Sequence, residues 1–367
     1  MHRPIPLLML GAGFSRMAHA PALQRLGAAF RVAGVFSRTR EKAEAVARDF
    51  PGPVQVFTNL EQALAMPGIE AVDVALPILP ASDAIAAALG RGLHVFSEKP
   101  IAESVERARA LLSLQAAHPD RVWCVAENFR FWETAWRVRE LIGAGEIGTP
   151  ILCHYPTFVP IKSSQWFQTG WRRTPEYDGG FLLDGGVHDI AALRVMLGEV
   201  AQVSAFVRGV DPALPPADTM AASLAFESGL VANYSVTYAL EPVQLKPWGV
   251  VKALLSGAER PIRDHFGRKH ILGTHGSLFF MQDRVELVRG LKRTVFKVRS
   301  RDMMEQQFED FRAGVREGRP LRNSPQEALR DLAVIEALLA SARGEQAVRP
   351  ARVDPVTLLP SAARSPS

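Results

Sequence analysis

Three clusters of residues in this 367-residue chain have types and spacings that suit chemistry. The first is Gly11-Ala12-Gly13-Phe14-Ser15-Arg16, directly after the apolar run Ile5-Pro6-Leu7-Leu8-Met9-Leu10. Two glycines there let a backbone turn tightly and approach a pyrophosphate, whose charge the N-terminus of a following helix favours. An ordinary tight turn uses the same pair, and the third glycine of the usual fingerprint is replaced by Arg16. The second cluster is Glu98-Lys99-Pro100. Proline has no ladder N–H, so the strand stops and leaves Lys99 on the side of the sheet where open α/β folds bind ligands. A lysine there reaches both a nicotinamide ribose and a substrate oxygen; an exposed strand-end lysine is the plainer alternative. The third is Gly179-Gly180-Phe181-Leu182-Leu183-Asp184-Gly185-Gly186-Val187-His188-Asp189. Its Asp184 and His188 are four apart, adjacent on one face of a helix, and its glycines permit close approach of backbone to a ligand. Histidine suits proton transfer near neutral pH, and a neighbouring carboxylate orients it and favours its charged form. A capping aspartate beside a core histidine fits equally well. Taken together, the clusters supply what a coupled hydride and proton transfer requires.

At the end of the second strand, where an acidic residue usually holds the ribose hydroxyls, the chain reads Phe36-Ser37-Arg38-Thr39-Arg40. Serine and arginine bind a 2′-phosphate that an acid would repel, so NADP is favoured, with NAD still possible. Arg38 and Arg40 could also simply solvate a helix start. Trp166-Phe167-Gln168-Thr169-Gly170-Trp171-Arg172-Arg173 either walls a substrate pocket with aromatic faces or forms a packed loop. Arg130 or Arg172 would suit a substrate carboxylate.

These residues need a scaffold, and the apolar pattern supplies one. Short, uniformly apolar runs at 5–10, 31–36, 54–57, 71–76, 93–96 and 122–125 read as strands covered on both faces. Helical patterns at 18–26, 41–49, 60–65, 83–91 and 105–117 separate them, with Asn59 and Ser104 as N-caps. That alternation predicts a doubly wound parallel sheet. The second half carries longer, alternating runs at 151–159, 200–208, 219–226 and 231–238, with Glu227-Ser228-Gly229 as a hairpin turn. They predict an α+β domain with a large, open, mostly antiparallel sheet. Helices follow at 302–316 and 325–342, the latter opened by the capping box Ser324-Pro325-Gln326-Glu327. The expected division is a Rossmann domain over 1–126, a substrate-binding and oligomerisation domain over 127–345, and a mobile tail over 346–367.

Composition is that of an ordinary globular protein, with 47% hydrophobic and 22% charged residues. The net charge of +5 is dispersed. Its densest stretches, 260–270 and 291–293, fit a solvated surface better than a nucleic-acid face, and a mild positive field draws in phosphate-bearing cofactors. Cys124 and Cys153 lie in apolar runs as small core residues, which fits a reducing, cytoplasmic setting. No metal-ligand spacing is present. The N-terminal apolar run is too short for a signal peptide, and no stretch is long enough to span a membrane.

With these motifs in view, the chain resembles the glucose–fructose oxidoreductase / inositol dehydrogenase family, also called Gfo/Idh/MocA, over about residues 5–345. The resemblance rests on the glycine turn with His19, Glu98-Lys99-Pro100, Ala126-Glu127-Asn128-Phe129-Arg130-Phe131 and the segment 179–189. It implies a Rossmann domain followed by an open-sheet domain that lines the substrate site and mediates dimer or tetramer contacts. Members mostly oxidise a sugar or cyclitol hydroxyl, or run the reverse reduction, with a nicotinamide cofactor. Carried over, Lys99 and His188 are the catalytic pair, and Asp184 binds substrate and orients His188. Gly11, Gly13, Phe14, Ser15, Arg16, Ser37, Arg38, Leu76, Pro77, Glu98, Lys99 and Asn128 line the cofactor, with Arg16 over the pyrophosphate. Arg130, Trp171, Arg172, Asp184 and His188 face a small-molecule substrate. The family's Thr-Pro-Asn loop is Leu76-Pro77-Ile78 here, so only backbone contacts to the cofactor are expected from it. Two rivals remain: a protein of this fold that binds NAD(P) as a sensor without chemistry, and an enzyme that uses the cofactor only transiently during an elimination.

Overall fold

The computed structural model describes residues 3–164, 169–240 and 267–353. The first domain is built on six parallel strands: β1 (Ile5–Leu10), β2 (Phe30–Phe36), β3 (Gln55–Phe57), β4 (Ala71–Val74), β5 (His94–Glu98) and β6 (Trp123–Ala126). Their order is β3-β2-β1-β4-β5-β6, and every pairing is parallel. All side chains of β1, β4 and β6 are buried, as strands covered on both faces must be. The order reverses between β1 and β4, which opens a crevice at their C-terminal ends.

Helices α1 (Ala20–Leu26), α2 (Arg40–Ala47), α3 (Leu60–Leu64), α4 (Ile78–Gly90) and α5 (Val105–Ala116) cover the sheet. Asn59 and Ser104 cap as the sequence predicts, accepting from the Gln62 and Arg107 amides. Helix α4 begins at Ile78 rather than at residue 83, because Pro80 falls in its first turn, where a missing N–H costs nothing.

The second sheet has eight strands, β7 (Pro150–Phe158), β8 (Val200–Arg208), β9 (Thr219–Phe226), β10 (Val231–Thr237), β11 (Lys269–Gly273), β12 (Ser277–Phe280), β13 (Arg284–Arg289) and β14 (Lys292–Lys297). Their order is β14-β13-β12-β11-β7-β10-β9-β8, antiparallel throughout except between β7 and β10. Strands β11 to β14 are absent from the sequence reading. Their alternation is short, cut by Gly273, Gly276 and Gly290, and diluted by arginine and lysine at Arg284, Arg289, Lys292, Arg293 and Lys297.

Helices α6 (Glu133–Gly143), α7 (Gly170–Arg173), α8 (Gly180–Asp184), α9 (Gly186–Leu197), α10 (Met303–Glu317) and α11 (Pro325–Gly344) complete the fold. Ser324 caps α11 by accepting from the Glu327 amide, but the box is one-sided, because the Glu327 side chain goes to Arg194 and Arg330 instead. The chain past 345 does not begin as a mobile tail: Val348 exchanges both backbone hydrogen bonds with Val203 of β8, at 2.8 and 2.9 Å. Residues 354–367 lie outside the described residues.

Helix α10 follows the second sheet in sequence yet returns to the first. Phe308 stacks on Phe96 of β5 with ring centroids 4.2 Å apart, and Phe311 lies parallel to Phe30 of β2. Both are fully buried. The parallel sheet therefore has no finished core until the last third of the chain closes over it. Phe308→Ala should cost about 3–5 kcal/mol of unfolding free energy, read by chemical denaturation. A loss below about 1 kcal/mol would show that α10 does not complete this core.

Candidate active site

The glycine turn closes β1 against its neighbours. Gly11 donates to the Phe36 carbonyl at 2.9 Å and holds φ +118°, and a Cβ there would fall 2.3 Å from the Ala75 carbonyl oxygen. Only glycine fits. At Gly13, by contrast, a Cβ would meet nothing within 4 Å, so the backbone of the turn is open there. The buried Ser15 hydroxyl donates to the Gly11 carbonyl at 2.7 Å, so its proton is not offered to a ligand. Arg16 does not lie over a pyrophosphate position but pairs with Asp49 at 3.0 Å, the carboxylate its side chain reaches at the surface. Ser37 accepts from the Thr39 amide, Arg38 is exposed, and Arg40 pairs with Glu44. Leu76 and Pro77 lead into α4.

His19 is wholly buried behind this turn. Its Nδ1 lies 2.8 Å from Asp73 Oδ1 of β4, and its Nε2 lies 2.9 Å from Glu98 Oε1 at the end of β5. Phe14, Phe96 and Phe308 surround the ring edge-on. Burial by itself would push this imidazole down, but the two carboxylates outweigh it and hold it up at about 10. It is an imidazolium between two acids, and it fixes Glu98.

The next residue points the other way. Lys99 Nζ donates to Asp184 Oδ1 and to the Asp184 carbonyl, both at 2.7 Å. Arg172 Nε donates to Asp184 Oδ2 at 2.8 Å. Burial would raise the Asp184 carboxyl, yet Lys99 and Arg172 hold it well below the usual carboxylate range. Trp171 carries the Arg172 guanidinium over its ring at 4.2 Å and neighbours Tyr177, whose hydroxyl is pushed up by burial and by the Asp184 charge. Trp166, Phe167 and Gln168 lie outside the described residues.

His188 is not oriented by Asp184. Helix α8 ends at Asp184 and α9 starts at Gly186, so the four-residue spacing does not place the two on one continuous face. Instead, His188 Nδ1 lies 2.7 Å from Glu127 Oε1, just past β6, and Phe129 stacks on the imidazole at 5.0 Å. Asp189 anchors the same helix to the second sheet through Thr157 and the Tyr234 hydroxyl.

Arg130 is also corrected. It is buried, and donates to both oxygens of Asp331 at 2.9 and 2.7 Å, so it cannot face a substrate carboxylate. Asn128 opens the same turn, with its side-chain oxygen buried and unpartnered among the described residues. The glycines of 179–186 serve packing rather than ligand approach: a Cβ at Gly180 would lie 2.4 Å from the Pro215 carbonyl, and at Gly185 2.1 Å from the Tyr238 hydroxyl. Sequence reasoning missed Glu127 and Asp73. Their positions at or just past the C-terminal ends of parallel strands were the available clue.

The His19 arrangement makes a pH prediction. Its pKa is raised on folding, so its contribution is fully present below about 6.5, the unfolded value, and is lost as pH rises through about 10. Thermal unfolding between pH 6 and 10.5 should show the wild type losing on the order of a few kcal/mol across this window. His19→Asn should be less stable at pH 6 and flatter above it. Parallel curves for the two proteins would refute a charged His19.

Comparison with known proteins follows the same two-part architecture. Residues 5–125 match the oxidoreductase family's NAD-binding Rossmann fold, and residues 139–349 match that family's C-terminal alpha/beta domain. The chain is 32% identical over 361 residues to dehydrogenase FPY6 of Fusarium mangiferae, covering 92% of this chain and 96% of that one. It is 26% identical over 285 residues to scyllo-inositol 2-dehydrogenase (NAD(+)) of Bacillus subtilis, covering 76% and 74%. An oxidoreductase from Thermotoga maritima, known from its crystal structure, superposes with a TM-score of 0.83 at 34% identity, over 95% of this chain and 98% of that one. Both halves match in order, and their junction falls beside the Glu127 turn where the site assembles. The chain belongs to the Gfo/Idh/MocA oxidoreductase family.

Proposed function

We propose that this protein moves a hydride between a nicotinamide cofactor, NADP in preference to NAD, and a carbinol or carbonyl of a sugar- or cyclitol-like substrate. One observation carries the reading. An ammonium has three donors, and Lys99 uses two of them on Asp184, which leaves one for a substrate oxygen. The open Gly13 backbone and the close-packed Gly11 suit a dinucleotide laid across the crevice. When bound, the cofactor supplies the hydride donor or acceptor. Lys99 polarises the substrate oxygen, Asp184 holds Lys99 in place, and His188 takes the hydroxyl proton in oxidation and returns it in reduction. The absence of an acid in Ser37-Arg38-Thr39-Arg40 supports NADP.

Subunit contacts fall to the outward face of the second sheet, where Leu152 lies between Val231 and Leu272, and Phe206 is 76% exposed. A homodimer or homotetramer through this face is the arrangement we infer. The free, buried Cys124 and Cys153 support a reducing, cytoplasmic setting.

NADPH and NADH titrated in parallel by calorimetry test the cofactor. Tighter NADPH binding, weakened about tenfold or more by Arg38→Ala, supports the assignment, since one charge-assisted contact contributes roughly 1.5–3 kcal/mol. Preference for NADH would sink the 2′-phosphate role. Turnover on a panel of cyclitols and sugars tests the chemistry: Lys99→Ala and His188→Ala should each lower kcat by about 10²-fold or more while cofactor affinity holds. Cofactor binding without turnover on any carbinol or carbonyl would instead favour a sensor.

A further inference from the structure

We propose that Glu127 is the positioning residue for His188: its carboxylate fixes the imidazole as the Nδ1–H tautomer and leaves Nε2 bare to accept the substrate proton. The inference rests on the reading of His188 as the proton acceptor, and goes beyond it by naming what makes that histidine a base.

Glu127 follows the last residue of β6 and opens the turn Asn128–Phe131. Its Oε1 accepts from the Phe129 amide at 2.9 Å as well as meeting His188 Nδ1 at 2.7 Å, so the turn's own backbone aims the carboxylate. Its carbonyl is held in turn by Asn323 Nδ2 at 3.0 Å. The same turn sends Phe129 under the imidazole, so the ring is fixed both in plane and by stacking.

Glu127 is only 2% exposed, and its second carboxylate oxygen, Oε2, has no partner among the described residues. Leaving a buried carboxylate oxygen unpaired is costly, and a structure without use for the charge would not place one there. Burial would push the Glu127 carboxyl up, but His188, the Phe129 amide and Lys99 together hold it below its ordinary value. An ionised carboxylate accepts and cannot donate, so the proton between the two groups sits on Nδ1. The nitrogen a histidine offers is set by the bond its other nitrogen makes. Nε2 therefore carries a lone pair.

Among the described residues, Glu127 is the carboxylate that meets the His188 ring. Both oxygens of Asp184 are occupied by Lys99 and Arg172, and both oxygens of Asp189 by Thr157 and Tyr234. In the oxidative direction the substrate O–H bond breaks, the Nε2–H bond forms, and the electron pair stays on oxygen to make the carbonyl. A bound nicotinamide would supply the acceptor for the carbon-bound hydride. The imidazolium so formed faces the Glu127 charge, which stabilises it.

The test uses the full-length protein without cofactor, labelled with 15N at histidine, and a second readout in turnover. In the neutral imidazole, assigned by loss of its signal in His188→Ala, wild type should show Nδ1–H with bare Nε2. Glu127→Gln, which can donate as well as accept, should admit the Nε2–H form. With the carbinol the panel identifies, Glu127→Gln should lower kcat by about 10²-fold, with KM and NADPH affinity within about threefold of wild type. An Nε2–H tautomer in the wild-type spectrum overturns the proposal on its own, even if Glu127→Gln fails to fold. A slow His188→Ala beside a full-speed Glu127→Gln overturns the role of Glu127 alone. A full-speed His188→Ala overturns the parent reading of His188 and this proposal with it.

Discussion

Successive residues of an extended chain face opposite ways, and at the end of β5 that geometry ties the molecule together. Glu98 turns back into the first domain and meets His19; Lys99 turns outward and meets Asp184 of the second. The contacts form a line of alternating charge, from Asp73 through His19 to Glu98, then from Lys99 through Asp184 to Arg172. Buried charges persist only when paired, and removing one member leaves its partner uncompensated at a cost of about 3–5 kcal/mol. The relation of Lys99 to the second domain is thus set by electrostatics within the site itself.

A second charge network places the histidine. Arg130 belongs to the turn that Glu127 opens, and Arg194 lies on the helix that carries His188. Both guanidiniums end on the buried Asp331 of α11, and Arg194 also binds Glu199 and Glu327. One carboxylate on a third element therefore locks together the two segments whose functional groups must meet. Asp189 does the same on the other side by fastening α9 to the sheet. Glu127 and His188 come together because arginines and acids outside the site hold their backbones there.

The parallel sheet was legible because burial on both faces writes uniformly apolar runs, and β1 and β4 show them plainly. The N-caps at Asn59 and Ser104 were legible because their action is local. Lys99, Asp184 and His188 were legible as types and as positions along the chain. Their pairing was not, because a hydrogen bond between residues 61 or 85 apart leaves no periodicity to read. Arg130 was misread for the same reason: an arginine in a functional-looking turn is indistinguishable in sequence from one bound to an acid on a distant helix. Strands β11 to β14 were lost where glycines cut an already brief alternation and where Arg289 and Lys292 fell on the same face as the buried Leu287.

The failure of the Asp184–His188 spacing is the most instructive, since four residues on one helix do bring side chains together. Here the chain is not one helix. A Cβ at Gly185 would collide with the Tyr238 hydroxyl, and one at Gly186 would fall 2.8 Å from Ile335, so this segment lies against the sheet on one side and α11 on the other. Packing that close requires residues without side chains, and residues without side chains cost helix stability, so the helix breaks where it is pressed most tightly. The break separates the two groups by direction: Asp184 ends α8 facing Lys99 and Arg172, while His188 rides on α9 facing Glu127. Each acquires its own counter-charge. A single carboxylate serving both would have to bind the lysine and the imidazole at once. Two carboxylates give the lysine and the histidine a partner each, Asp184 for Lys99 and Glu127 for His188.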